Sequence, residues 1–235
     1  MSIVNVVMER ERALIGFDTL SSAMQALPDG VPGVAEVMAR FNGGIHMSKC
    51  LFLPHANVAL AHRGDAMLAV SVGSAIQLAA LSDFDAIVEA MPQLLAQSFA
   101  QVTALRKQQL GIEQFAGAEV ILVGWSPALK RMEAVRWLRW PQDNGFAGSP
   151  VGHALLLPDA EWEQTPDVPD SAEQMERIAR DQVAYVRAKH AGYNCGGRLL
   201  LAELTRDTLS VRTIADLEAP PQGVRAVESL DGSGS

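Results

Sequence analysis

Apolar runs and charged segments alternate at the beginning of the chain. The runs Ser2–Met8 and Ala13–Phe17 are rich in β-branched and other apolar residues, and the charged segment Glu9–Arg12 lies between them. This pattern predicts a β-hairpin. Because a hairpin returns the chain to its starting point, Ser2 is expected to lie close to Asp18, which directly follows the second run.

The rest of the chain alternates between groups of strands and groups of helices. Further strands are predicted from the apolar runs at 49–53, 58–61, 119–125, 132–140, 199–204 and 209–213. Helices are predicted over 34–41, 66–80 and 84–109 and after the capping box at 171–174. Because the blocks alternate in groups and not singly, two antiparallel sheets with helices outside are favoured over a parallel βαβ fold.

Composition sets the number and extent of domains. The chain has 235 residues, of which 49% are hydrophobic, so it can bury a substantial core. We expect a single domain over 1–218 and a flexible tail over 219–235, where Pro, Gly and Ser are frequent. The glycine-bearing segment Asp143–Pro150 is predicted to be a loop.

Charge and cysteine usage exclude several classes of partner. Lys and Arg number 19 against 27 Asp and Glu, and this acidic balance argues against binding to nucleic acid or to an anionic membrane. Only Cys50 and Cys195 are present, and no apolar run is long enough to span a bilayer, so a cytoplasmic protein is expected. The five histidines lack ligand spacing, and no metal or other cofactor is expected.

Several short motifs occur in a recognisable order. Asp18 follows Ser2 by sixteen positions, and Lys49 begins the run Lys-Cys-Leu-Phe-Leu. Three further motifs follow, at Ala61–Asp65, Val123–Trp125 and Ala147–Ser149. Over most of the chain, this order resembles the proteasome β-subunit family of N-terminal-nucleophile hydrolases, nearest the bacterial proteasome-like protease branch. The resemblance implies a four-layer αββα sandwich that hydrolyses peptide or amide bonds and assembles into a homo-oligomer, with a ring as one form.

The resemblance implies that Ser2 is the nucleophile once Met1 has been removed. A serine hydroxyl needs a base, and a free α-amine can serve because its reference pKa is about 7.7–8.0. The Lys49 ammonium would lower the pKa of this amine, and Asp18 would hold Lys49 in place. Ser2 is small enough for ordinary methionine excision, so no propeptide is required.

Further site residues are implied by the positions of the family's motifs. Gly64 would donate the oxyanion N–H, although Arg63 takes that position if the preceding hairpin is one residue shorter. Ser149 corresponds to a serine of the family's catalytic loop. His62 and Arg63 would border the cleft, and Ser22 and Arg63 would bind substrate.

Two departures from the family leave other functions open. Serine replaces the family's threonine, and Gly192 stands where the family has a supporting aspartate. A catalytically inactive scaffold or binding protein, in which Asp18 and Lys49 form a structural ion pair, is therefore an alternative. A small-amide acylase without a ring is another. The sequence identifies neither the substrate nor an unfoldase partner.

Overall fold

A computed structural model describes residues 2–21, 45–111, 115, 117–189 and 195–218. In these ranges the strands are β1 Val4–Met8, β2 Arg12–Asp18, β3 Leu20–Ser21, β4 Ile45–His46, β5 Cys50–Leu53, β6 Val58–Gly64, β7 Ala118–Ser126, β8 Arg131–Arg139, β9 Ala147–Pro150, β10 Ala154–Leu157, β11 Arg198–Thr205 and β12 Leu209–Asp216. The helices are α1 Ala66–Leu78, α2 Phe84–Leu110 and α3 Ala172–Lys189. The predicted helix over 34–41 and the predicted tail over 219–235 lie outside the described residues.

Two five-stranded antiparallel sheets form the centre of the fold. The first has the strand order β10-β1-β2-β11-β12, and the second has the order β5-β6-β7-β8-β9. A short pair, β3 and β4, lies outside both sheets. The predicted opening hairpin is confirmed, since β1 pairs with β2 and Val4 lies opposite Phe17.

The sheets stack face to face and helices cover their outer faces. Successive side chains on a strand point to opposite faces, and in β1 both faces are buried: Val4 and Val6 contribute to the core between the sheets, whereas Val7 packs with Met175 of α3. Outward-facing residues of the second sheet, such as Leu60, pack in the same way in a cluster with residues of α1 and α2. The order of layers is α3, first sheet, second sheet, then α1 with α2, so the expected αββα sandwich is confirmed.

The beginning of α1 is fixed next to the end of β6. Asp65, the N-cap residue, accepts a hydrogen bond from the Leu68 N–H at 3.2 Å. Its second carboxylate oxygen forms an ion pair with Arg106 of α2 at 2.7 Å. The chain therefore turns sharply from β6 into a helix immediately after Gly64.

The segment over 143–150 is not the uninterrupted loop that the sequence predicts. Ala147–Pro150 forms the edge strand β9, in which Ser149 lies opposite Arg136 of β8. All four residues are exposed, and glycine, serine and proline are typical of turns, so composition obscures this strand. Strand β10, which pairs with β1, is a further strand missing from the prediction, although Ala154–Leu157 is a short apolar run.

Candidate active site

A buried ion pair joins the two sheets at one end of the sandwich. Asp18 ends β2 and Lys49 directly precedes β5, and the distance between Lys49 Nζ and Asp18 Oδ1 is 2.6 Å. The residues are 0% and 1% exposed. The ion pair expected from the sequence is therefore present, although its catalytic role remains a prediction.

Backbone groups complete the surroundings of this ion pair. Asp18 Oδ1 also accepts a hydrogen bond from the Ile3 N–H at 2.8 Å, and Oδ2 accepts one from the Gly196 N–H at 2.8 Å. Lys49 also donates to the carbonyl oxygen of Leu20. Burial lowers the pKa of the Lys49 ammonium, and the nearby Asp18 carboxylate acts in the opposite direction. Lys49 Nζ is thus held beside the beginning of the chain by Asp18 and Leu20.

Ser2 lies next to the ion pair because the following residue, Ile3, donates a backbone hydrogen bond to Asp18. Ser2 is partly buried, and its carbonyl oxygen accepts a hydrogen bond from Arg63 Nε at 2.8 Å. Since the Ile3 N–H and the Lys49 ammonium bind the same oxygen of Asp18, Ser2 lies close to Lys49. The structure therefore brings together Ser2, Asp18 and Lys49.

The Arg63 side chain is engaged within the protein. Besides binding the Ser2 carbonyl, Arg63 donates from Nη1 to Glu119 Oε2 at 2.8 Å. Glu119 is buried and also forms an ion pair with Arg136 of β8. Sequence reasoning missed Glu119; the available signal was a single carboxylate in an otherwise apolar, buried type of strand.

Gly64 has a backbone conformation that other residues rarely adopt. Its φ is +80°, and an added Cβ would collide with the carbonyl oxygen of Gly117. Glycine is therefore required where β6 ends, one residue after Arg63. The role of the Gly64 N–H as oxyanion donor remains a prediction.

One expected site residue, Ser149, is not brought to this cluster. Ser149 is exposed on β9 and lies level with Cys50, but β6, β7 and β8 separate the two strands. At about 4.8 Å between neighbouring strands, Ser149 is roughly 19 Å from β5. Ser22 lies outside the described residues, as does Gly192.

Two other titratable side chains near the ion pair are neutral at physiological pH. Burial lowers the pKa of His62 to about 4, and its backbone N–H donates to the Lys49 carbonyl at 2.9 Å. Burial raises the pKa of the Cys195 thiol to about 11. A protonated thiol is a poor nucleophile, so Cys195 is poorly suited to that role.

A mostly apolar cavity of about 410 Å³ opens near this end of the sandwich. It is lined by Met47, Ala66, Met67, Val70, Ser71, Gln101, Val102 and Leu105. Met47 is two positions before Lys49, and Ala66 is two positions after Gly64. A larger depression of about 670 Å³ includes Trp125 and lies among hairpin turns at the opposite end of the sheets, away from the ion pair.

The described part of the chain contains neither a metal-binding cluster nor a helix suited to a membrane. No group of three or more His, Cys, Asp or Glu side chains in these ranges is arranged to hold a metal ion. None of the helices in the described ranges combines the length and the apolar character that crossing a membrane requires.

Comparison with known proteins gives a fold but no sequence family. No family model matches the chain, and no curated protein matches it. Among solved structures, Anbu (ancestral beta-subunit) from Yersinia bercovieri superposes with a TM-score of 0.53 at 11% identity, covering 92% of this chain and 87% of that one. An Anbu (Gly-1) mutant from Hyphomicrobium sp. strain MC1 gives 0.51 at 11% identity, with coverages of 91% and 87%. The fold is proteasome-like.

The more specific identification made from the sequence is wrong. The motifs point to the proteasome β-subunit family, nearest the bacterial proteasome-like protease branch, whereas the structural neighbours are Anbu proteins, which are proteasome-like but distinct. The motifs behind that identification are short, and hairpin lengths fix much of their spacing. Spacing of this kind follows from a shared fold and does not separate its branches.

Proposed function

We propose that this chain is an N-terminal-nucleophile hydrolase that acts on peptide or amide bonds through Ser2 after removal of Met1. The observation that carries the proposal is the buried pair of Lys49 and Asp18, in which Asp18 also binds the backbone of Ile3. A buried charge is costly to maintain. Its direct link to the residue after Ser2 supports a role at the beginning of the chain.

The proposed reaction uses groups from both sheets. The free α-amine of Ser2 accepts the proton of its own hydroxyl as the oxygen attacks the substrate carbonyl. The positive charge of Lys49 favours the unprotonated amine and the developing alkoxide. The Gly64 N–H stabilises the oxyanion, a contribution of about 3–4 kcal/mol. The amine then protonates the leaving group, and water hydrolyses the acyl-enzyme.

Separate features support an apolar substrate side chain, a homo-oligomer and a cytoplasmic location. The cavity between Met47 and α1 has mostly apolar walls, so it suits an aliphatic or aromatic side chain of a peptide. A homo-oligomer is supported by the structural neighbour from Yersinia bercovieri, which is named as an ancestral beta-subunit. Cys50 and Cys195 are both free, which suits a reducing cytoplasm.

The experiment that tests the proposal combines mass spectrometry with a covalent probe. Protein purified from its own host is weighed intact, treated with a peptide epoxyketone, and weighed again. Loss of Met1 and a single adduct on Ser2 are expected. Ser2→Ala abolishes the adduct, whereas Ser210→Ala, at an exposed serine of β12, leaves it unchanged.

Other outcomes favour the alternative functions. Retention of Met1, together with no hydrolysis of fluorogenic peptides, contradicts the proposed mechanism and favours a proteasome-fold scaffold. In that case Lys49→Ala leaves assembly unaffected. Hydrolysis of small amides by a species whose native mass is that of a monomer favours an acylase without a ring.

A further inference from the structure

The peptide bond between Ser2 and Ile3 is held at both of its polar atoms. The Ile3 N–H donates to the Asp18 carboxylate at 2.8 Å, and the Ser2 carbonyl accepts from Arg63 Nε at 2.8 Å. Asp18 belongs to the first sheet and Arg63 to the second. Because both polar atoms of the peptide group are held, its plane has a fixed orientation. The bond from the carbonyl carbon to the Ser2 Cα lies in that plane, so its direction is fixed as well.

The position of Arg63 depends in turn on Glu119. These residues lie directly opposite each other on β6 and β7, and Arg63 Nη1 donates to Glu119 Oε2 at 2.8 Å. Glu119 is also paired with Arg136 of β8, so its carboxylate is held between two guanidinium groups. The planar fork of an arginine suits two simultaneous contacts, which a lysine cannot make in the same geometry with its single nitrogen.

We propose that Arg63 and Glu119 are positioning residues for Ser2: Glu119 orients Arg63, and Arg63 fixes the Ser2 carbonyl. The proposal rests on the proposed function insofar as Ser2 is the nucleophile. Arg63 acts through the Ser2 carbonyl, and Glu119 acts through Arg63. A misplacement of about 1 Å at a reacting group can cost roughly 10²-fold in rate, so these contacts matter for catalysis without taking part in bond breaking.

Kinetics of four variants test the proposal. Arg63→Met is expected to lower kcat by roughly 10²-fold while leaving KM nearly unchanged. Glu119→Gln lowers kcat less, because glutamine can still accept a hydrogen bond from Arg63, and Arg63→Lys falls between wild type and Arg63→Met. Since both residues act through one contact, Glu119→Gln has little further effect in the Arg63→Met background.

Glu133→Gln is the matched control for these variants. Glu133 also forms an ion pair with an arginine of β8, but it lies opposite Gly124, toward the other end of the second sheet. It is expected to leave kcat unchanged. Melting temperatures confirm that each variant is folded, and Glu119→Gln, the mildest change, keeps the test decisive if Arg63→Met does not fold.

A chemical probe separates this proposal from the proposed function. Periodate cleaves an N-terminal serine between its amine- and hydroxyl-bearing carbons, and the mass change reports the rate without any catalysis. The full chain is used with a free Ser2 amine, exposed by a cleavable leader where Met1 is retained. Several-fold faster oxidation is expected for Arg63→Met and Glu119→Gln than for wild type and Glu133→Gln.

The outcomes distinguish the two proposals. An inactive wild type with fast-oxidising Arg63 and Glu119 variants refutes hydrolysis and supports positioning. Equal oxidation rates in all proteins overturn positioning, whether or not the wild type is active. An Arg63→Met variant with raised KM and unchanged kcat also overturns it, because Arg63 then binds substrate.

Discussion

Lys49→Met is expected to be among the most destabilising single substitutions near the site. It removes the ammonium from a pair that is almost fully buried and leaves the Asp18 carboxylate uncompensated. Removing one partner of a buried ion pair typically costs about 3–5 kcal/mol. Asp18 keeps two backbone donors, from Ile3 and Gly196, so we expect the lower end of that range, about 3 kcal/mol.

A double-mutant cycle with Asp18→Asn isolates the interaction itself. The Lys49→Met, Asp18→Asn double variant removes both charges of the pair, so it should cost less than the sum of the single variants by about 2 kcal/mol. The free energy of unfolding is measured by chemical denaturation at one pH and one protein concentration. Arg131→Met, which breaks a more exposed ion pair on β8, is the control and should cost about 0–1 kcal/mol.

Either of two results would refute this reasoning. A Lys49→Met variant that loses less than about 1 kcal/mol would behave like the loss of an exposed pair. Strictly additive single variants would show that Lys49 and Asp18 do not stabilise each other across the sheets.

Two further substitutions test the backbone and the buried imidazole. Gly64→Ala should cost about 1–3 kcal/mol from the left-handed φ alone, and the clash with the Gly117 carbonyl adds to this cost. Gly145→Ala is the control and should be nearly neutral, because Gly145 has open space around it. Equal stabilities of the two variants in thermal unfolding would contradict this prediction. The pKa of His62 is lowered from 6.5 to about 4, so the unfolded chain binds the extra proton first as pH falls. The neutral His62 side chain contributes about 3 kcal/mol at most to the free energy of unfolding. This contribution is fully present above pH 6.5 and is lost as the pH falls through about 4. His62→Gln should flatten the pH dependence of unfolding over that window, and an unchanged slope would contradict the assignment.

Features that depend on residues close together in the sequence could be predicted from it. The opening hairpin follows from two apolar runs around a charged segment, and α2 follows from the helical periodicity over 84–109. The grouping of strands and helices also sufficed to predict two antiparallel sheets. The contact between Asp18 and Lys49 spans 31 positions, so local patterns do not predict it. Its prediction depended on the family resemblance.

The remaining features depend on contacts that sequence patterns do not encode. The Arg63–Ser2 contact spans 61 positions and depends on how the two sheets stack. The Arg63–Glu119 contact spans 56 positions and depends on the register of β6 with β7. Strand β9 is held by pairing with β8, against the turn preference of its own residues. Ser149, assigned from a short glycine-serine motif, consequently lies at the far edge of the second sheet.

The geometry of Ser2 depends on the packing of the two sheets against each other. Near Ser2, the contacts from Lys49 to Asp18 and from Arg63 to the Ser2 carbonyl cross between the sheets. Both would persist with Met1 in place, because neither involves the Ser2 amine. The ion pair therefore fits an inactive scaffold as well as a hydrolase, whereas a free Ser2 amine serves only the hydrolase. Removal of Met1 is thus the event that separates the two functions.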